Sequence, residues 1–312
     1  MNRLAKHLKP YRVQIFLALA AVIGGALAEL GLPYFLADIV DRGVAQGDMK
    51  AISSIGGVML ALALLSILCA LAAGYLAARI SAGMGLSLRQ QVFDHIGTFA
   101  LADVERFGTA SLITRSTNDV TQIQNVVMML IRMVLRAPIV AVGGIVLAWS
   151  KSPTLAMVLL LAMPVLIVFV VLIARMALPL SGIMQTRVDR VNLVMREKLT
   201  GARVIRAFGN EAYERERFAQ ASDGLMHTAT SMQRTTSLLM PVVNLVMSGT
   251  MVGLVWKGAL LASYGGVQVG DIMALVQYAT QILMAAMMLS MMFVMLPRAM
   301  ASAQRINEVL DL

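Results

Sequence analysis

Few residues in this 312-residue chain have the types and spacing of an active site. His7, His95 and His227 lie far apart and share no ligand spacing, so neither a metal centre nor histidine acid–base catalysis is expected. Cys69 is the single cysteine, which excludes an intramolecular disulfide and a cysteine-cluster metal site. The serines stand in no recognisable nucleophile motif, and the sequence has no Gly-x-x-x-x-Gly-Lys-Ser/Thr phosphate loop. The chain is therefore expected to hold no cofactor and to be non-catalytic by itself. What its spacing offers instead is a wall for binding. Gln277, Gln281, Met284, Met288, Met291 and Met295 recur at helical intervals, reinforced by Met287 and Met292, and Asn244, Met247 and Met251 line up with Met240 in an earlier segment. Flexible, polarizable methionines with a few amides suit varied apolar substrates. The competing reading is interhelical packing, with the amides hydrogen-bonding across helices.

The elements that must position these residues are membrane helices. Hydrophobic residues make up 59% of the chain and charged ones 14%, and mean hydropathy is +0.78. An aqueous core cannot hide that much aliphatic surface. About 20 apolar residues carry a helix across about 30 Å of hydrocarbon, and six segments qualify: 13–32, 51–78, 130–149, 153–174, 235–256 and 272–297. The expected fold is all-α and polytopic. Arg3, Lys6, Lys9 and Arg12 before an apolar run, with Ala26-Leu27-Ala28 after it, also fit a secretory signal, but the run is longer than a typical signal core, so it is read as the first span.

Glu29 is the one acid within a span, and an intramembrane charge points to binding a cation or relaying protons. It falls about 24 Å along the helix from Val13, close to the far interface, where a hydrated structural role competes. Asp38 and Asp41 are read as structural partners of Arg42 or a neighbouring helix. Gly24, Gly25, Gly56, Gly57, Gly143 and Gly144 are read as sites of close helix approach, and Tyr264-Gly265-Gly266 as a turn.

Orientation follows from the basic residues. With both termini cytoplasmic, only Arg42, Lys50, Lys151 and Lys257 of the 26 Lys and Arg fall outside, provided Arg132 and Arg136 snorkel to the inner face. This accounts for the net charge of +9 without nucleic acid. Short external loops point to a bacterial-type inner (plasma) membrane. The two internal loops are long, with helical apolar spacing and no proline between Pro33 and Pro138 or between Pro179 and Pro241, and are read as helical hairpins reaching into the cytoplasm. Their tips hold Arg106, Phe107, Gly108, Thr109, Arg115 and Asp119 in the first, and Arg206, Ala207, Phe208, Gly209, Asn210, Glu211 and Tyr213 in the second. An aromatic, a glycine turn and flanking charge suit a short helix seated in a partner's groove; an ordinary solvated corner is the alternative.

The stretches "RFGTASLITRSTNDV" and "LTGARVIRAFGNEAYERERF" resemble the coupling-helix regions of six-helix, domain-swapped ATP-binding-cassette exporters, and residues 301–310 resemble the lead-in to that family's nucleotide-binding domain. The resemblance covers essentially the whole chain. It implies a transmembrane domain over 1–312, with 298–312 starting a linker toward a nucleotide-binding domain that is truncated or carried on a separate chain. It also implies a second membrane half, with a heterodimer favoured by the wording of the first tip, and ATP and Mg on the nucleotide-binding domains of the assembly. Coupling contacts are expected near 107–113 and 207–214, with Phe107 and Phe208 as the principal ones unless each packs its own hairpin. The implied activity is ATP-driven export of amphipathic or hydrophobic small molecules, drugs or lipids. The alternatives are an ATP-independent secondary transporter or channel and a non-transporting scaffold.

Overall fold

The computed structural model describes residues 7–312, apart from the side chains of 290–294 and 297. Among the described residues, eight helical elements follow one another and no strand occurs: α1 (Lys9–Val44), α2 (Met49–Ile96), short α3 (Leu101–Phe107), α4 (Thr109–Lys151), α5 (Pro153–Thr200), short α6 (Ala202–Ala207), α7 (Glu211–Ser263) and α8 (Val269–Leu310). The six long elements are each apolar enough to cross a membrane, as the sequence predicts. They continue well past the apolar windows. The 48 residues of α2 make about 72 Å of helix, more than twice the hydrocarbon thickness of about 30 Å. Membrane span and polar arm are thus one uninterrupted helix, because nothing in the arm breaks the i→i−4 ladder until Gly97.

The chain divides into two compact units, Met1–Met163 with Thr250–Leu312, and Pro164–Gly249. In the first unit α1 and α2 form a hairpin closed at Gly47, whose φ of 68° favours glycine. Asp48 then caps α2, its Oδ1 accepting from the backbone N–H groups of Lys50 at 2.9 Å and Ala51 at 3.2 Å. Close approach rests on glycine where expected: a methyl on Gly25 would stand 3.1 Å from Cys69 Cβ, one on Gly143 2.7 Å from Leu30, and one on Gly144 2.9 Å from Ile282. Gly56 and Gly57 depart from that expectation, with no neighbour within 4 Å of such a methyl. In lipid, where helices gain little from leaving one apolar phase for another, such small-residue contacts carry the association.

The core of this unit gathers Leu30, Leu155, Leu159, Leu254, Leu275, Tyr278 and Ile282 with an alanine seam. Pro33 withdraws the N–H that the Glu29 carbonyl would accept, and next to that gap the Leu30 carbonyl accepts the buried Tyr278 hydroxyl at 3.0 Å. One end of the unit is tied by charge. Lys151 Nζ lies 3.1 Å from Asp271 and 3.8 Å from Asp38, and sits 4.2 Å over the Tyr34 ring. Asp41 accepts from the Gly270 N–H at 2.8 Å. Asp38 and Asp41 are therefore structural, and their partners are neighbouring helices rather than Arg42. The Tyr264-Gly265-Gly266 segment is the turn predicted, with Gly265 at φ 72° and the Gly266 N–H donating to the Leu261 carbonyl.

The second unit is an antiparallel helical hairpin with α6 at its turn. Arg217 pairs with Glu197 at 2.5 Å, and a methyl on Gly224 would stand 3.2 Å from the Arg187 guanidinium. Leu166, Val194 and Val243 are buried, whereas Val168, Leu172, Leu178 and Leu245 lie exposed. α7 loosens at Leu238, three residues before Pro241, where the missing N–H and ring sterics interrupt the ladder.

Candidate functional site

Within the first unit, three helices each turn one face to a cavity of about 400 Å³, within the range that holds a small molecule. From α1 come Ala21, Val22, Gly25, Ala26 and Glu29, and from α2 Ser66, Cys69, Ala70 and Ala73. The α4 stripe is Asn125, Met128, Met129, Arg132, Met133 and Arg136, and Met288 of α8 completes the lining. Small residues on α1 and α2 leave the volume that the methionines of α4 and α8 border. The α4 stripe spans a π-helical turn at Leu130–Val134, a distortion that recurs at functional sites.

The charged groups of this cavity differ from expectation. Arg136 turns to Glu29: its Nη2 donates to Glu29 Oε2 and the two form an ion pair. Glu29 lies about 14 Å before Asp38 along α1, and Arg136 about 22 Å before Lys151 along α4. The pair is thus set back by several helical turns from the polar layer of Asp38, Lys151 and Asp271. The α1 helix itself continues past the predicted span 13–32, to Val44. Arg132, one turn before Arg136, also lines the cavity.

The first hairpin crosses through α3 and turns back at Gly108, whose φ of 76° and ψ of 138° belong to glycine. Phe107 stacks on Phe99, centroids 6.1 Å apart, with the Arg115 guanidinium 4.7 Å from its centroid. Asp119 is fully buried and accepts from Ser302 Oγ at 2.9 Å and from Arg305 Nε and Nη2 at 2.8 and 2.5 Å. Arg115 donates to the Arg305 carbonyl at 2.5 Å and pairs with Glu308 at 3.0 Å. Burial alone would raise the Asp119 pKa, but hydrogen bonds from Arg305 and Ser302 and the charges of Arg305 and Arg115 hold it below the ordinary carboxylate value. Residues 301–310 are accordingly the last turns of α8, with Ala303, Ile306 and Val309 packed in a core with Met84, Leu88 and Val92 of α2 and Leu112 and Val120 of α4. Arg106 and Thr109 remain exposed.

The second hairpin crosses through α6, between Gly201 and Gly209, the latter at φ 63°. Its apolar residues face outward: Phe208 is 83% exposed, and Val204, Leu199 and Tyr213 are open as well. Arg206, Ala207, Gly209, Asn210 and Glu211 are also exposed. Arg217 closes the base by binding Glu197 and Glu214, and the Glu197 hydrogen bond raises its pKa further. Both crossing helices lie just before the stretches expected, 107–113 and 207–214. The glycines that mark the sequence end those short helices rather than centre them.

Residues 15–287 match the model of the ABC transporter transmembrane region. The chain belongs to that family. It is 43% identical over 308 residues to an uncharacterized ABC transporter ATP-binding protein of Mycobacterium tuberculosis (strain CDC 1551 / Oshkosh), covering 99% of this chain and 53% of that protein. Against an uncharacterized ABC transporter ATP-binding protein of Bacillus subtilis (strain 168), identity is 34% over 311 residues, 100% of this chain and 54% of the relative. A fatty acid ABC transporter ATP-binding/permease protein of Mycobacterium bovis is 28% identical over 224 residues, 72% of this chain and 36% of the other. The chain thus spans about half the length of the first two relatives.

Of the pathway residues whose side chains are described in this ABC transmembrane region, Met288 alone lines the cavity. Gln277, Met284 and Met295 are exposed along the same α8 face, opposite the buried Leu275, Tyr278, Ala279 and Ile282. Gln281 Oε1 is buried without a hydrogen-bond partner, and the Met291 side chain lies outside the described residues. Asn244 is exposed and Met247 half-buried in the second unit, and Met251 is partly exposed in the first. Sequence reasoning missed the α4 stripe, although 125, 128, 129, 132, 133 and 136 follow one helical face.

Proposed function

We propose that the chain is the membrane half of an ATP-driven exporter that moves amphipathic or hydrophobic small molecules, lipids foremost, from the cytoplasm or inner leaflet by alternating access. The observation that carries this reading is the cavity, enclosed by helices of the membrane-crossing type and lined by methionine and small apolar residues around one charged pocket. The fatty acid relative supports a lipid-like cargo. The excess of basic residues at the tip end supports hairpins in the cytoplasm of a plasma-membrane protein with both termini inside. There the bare Phe208 and Tyr213 dock a nucleotide-binding domain, which supplies ATP and Mg, and a second, non-identical membrane half completes the pathway. A ligand shifts a conformational equilibrium only through its differential affinity for the two states, so the tips must be held rigidly where the motor pushes.

The test is reconstitution of the complex purified from native membranes into phosphatidylcholine vesicles carrying a fluorescent fatty-acid analogue. The expected result is translocation that needs ATP and Mg and stops with a non-hydrolysable analogue. Translocation at the same rate without nucleotide would replace this reading with a secondary transporter or channel.

A further inference from the structure

The cavity holds two guanidinium groups and one carboxylate. Arg136 and Glu29 neutralise each other, and they remain partly accessible, with 40% and 32% of their side chains exposed. Arg132 points to the same space beside Gly74, where an added methyl would stand 3.9 Å from its Cζ. Among the described residues Arg132 forms no ion pair. Arg132 is itself exposed, so its guanidinium stands on the cavity wall open to an anionic ligand. The walls around it, Met128, Met129, Met133 and Met288, are apolar and adaptable.

We infer that this cavity selects amphiphiles bearing one anionic headgroup, a carboxylate or phosphate that Arg132 takes in its planar fork while the methionines hold the chain. The inference rests on the cavity being the cargo site of the proposed transporter. The chemistry is asymmetric. An anion finds Arg132 without a partner to displace, whereas a cation must break Glu29 from Arg136 while facing Arg132. Glu29, which the sequence offers as a cation or proton site, is a positioning residue: it keeps Arg136 occupied and leaves Arg132 as the single anion acceptor.

Cys69 supplies the readout, since it is the only cysteine of the chain and lines the cavity. In the whole reconstituted complex, with any partner-chain thiols resolved by mass, the rate at which N-ethylmaleimide modifies Cys69 is measured against dodecanoate, dodecyl phosphate, dodecyltrimethylammonium and inorganic phosphate. Dodecanoate and dodecyl phosphate should slow modification, and the cation should not. Arg132→Gln should raise the half-protecting concentration of both anionic amphiphiles about tenfold, the loss of one charge-assisted contact. Glu29→Gln should lower it by a similar factor by releasing Arg136, a gain that a misfolded variant cannot produce. Equal protection by the cation, or dodecanoate protection unchanged in both variants, overturns the inference. Protection by inorganic phosphate as strong as by dodecyl phosphate also overturns it, in favour of a free-anion site. ATP-driven transport without anion protection removes this inference and leaves the exporter reading standing. Anion protection without ATP-driven transport supports the site and removes the exporter reading.

Discussion

The two hairpin tips are built from similar residues and end in opposite states. In the first, Phe107 is stacked on Phe99 under Arg115, and Arg115 and Asp119 are tied to the last turns of α8. In the second, Phe208 and Tyr213 face outward, and the nearest ion pairs brace only the base. The difference lies in what each hairpin has to pack against: α8 lies beside the first tip, whereas the second unit, taken by itself, offers its tip only its own two helices. The first tip is thus locked to the element that ends at Leu310, and the second is left open.

Disrupting the lock should have the largest effect. Arg305→Ala leaves the Asp119 carboxylate buried without its charge partner, a change worth about 3 kcal/mol or more. Hydrogen exchange should rise together over 101–119 and 302–310 and stay unchanged over 199–214; unchanged protection at the first tip would erase the contrast. The same bond sets a pH dependence. The folded Asp119 pKa lies below its unfolded value of 3.8, so the lock's contribution is present above about pH 4 and is lost as pH falls through the depressed folded value. Exchange at the first tip should therefore rise only in that acid window.

Next in size, Phe208→Ala should weaken binding of the nucleotide-binding domain by about 2 kcal/mol, as loss of an exposed aromatic anchor does, with no change in melting temperature. Phe107→Ala should show the reverse, destabilising the tip before it alters docking. The turn glycines give a finer comparison. Gly108→Ala forces an alanine into a glycine-only conformation at about 2 kcal/mol, whereas Gly209→Ala, with φ 63° and open space around it, should cost about 1 kcal/mol. Thermal unfolding of the two variants measures the ratio. Last, Arg115→Gln removes the contact over Phe107, the bond to the Arg305 carbonyl and the partly exposed Glu308 pair, each about 1 kcal/mol or less, visible as faster exchange at Phe107 and in the last turns of α8.

Much of this was legible without a structure. Apolar windows required six crossing helices, and internal loops with helical spacing and no proline from 34 to 137 or from 180 to 240 required long arms, since both depend on local composition and period alone. The wording of the two tips carried the family. The same local logic placed Phe107 and Phe208 in one role, because an aromatic beside a glycine looks alike whether or not a third helix covers it. Only tertiary structure decided that Asp119 reaches Ser302 and Arg305 across more than 180 positions, and that Glu29 meets Arg136 on a neighbouring helix. Length of helix, polarity and turn residues are properties of a segment, so the sequence states them directly. Which charge meets which depends on the registers of helices distant in the chain, set by where glycines and alanines let those helices approach, and that is a property of the packed bundle.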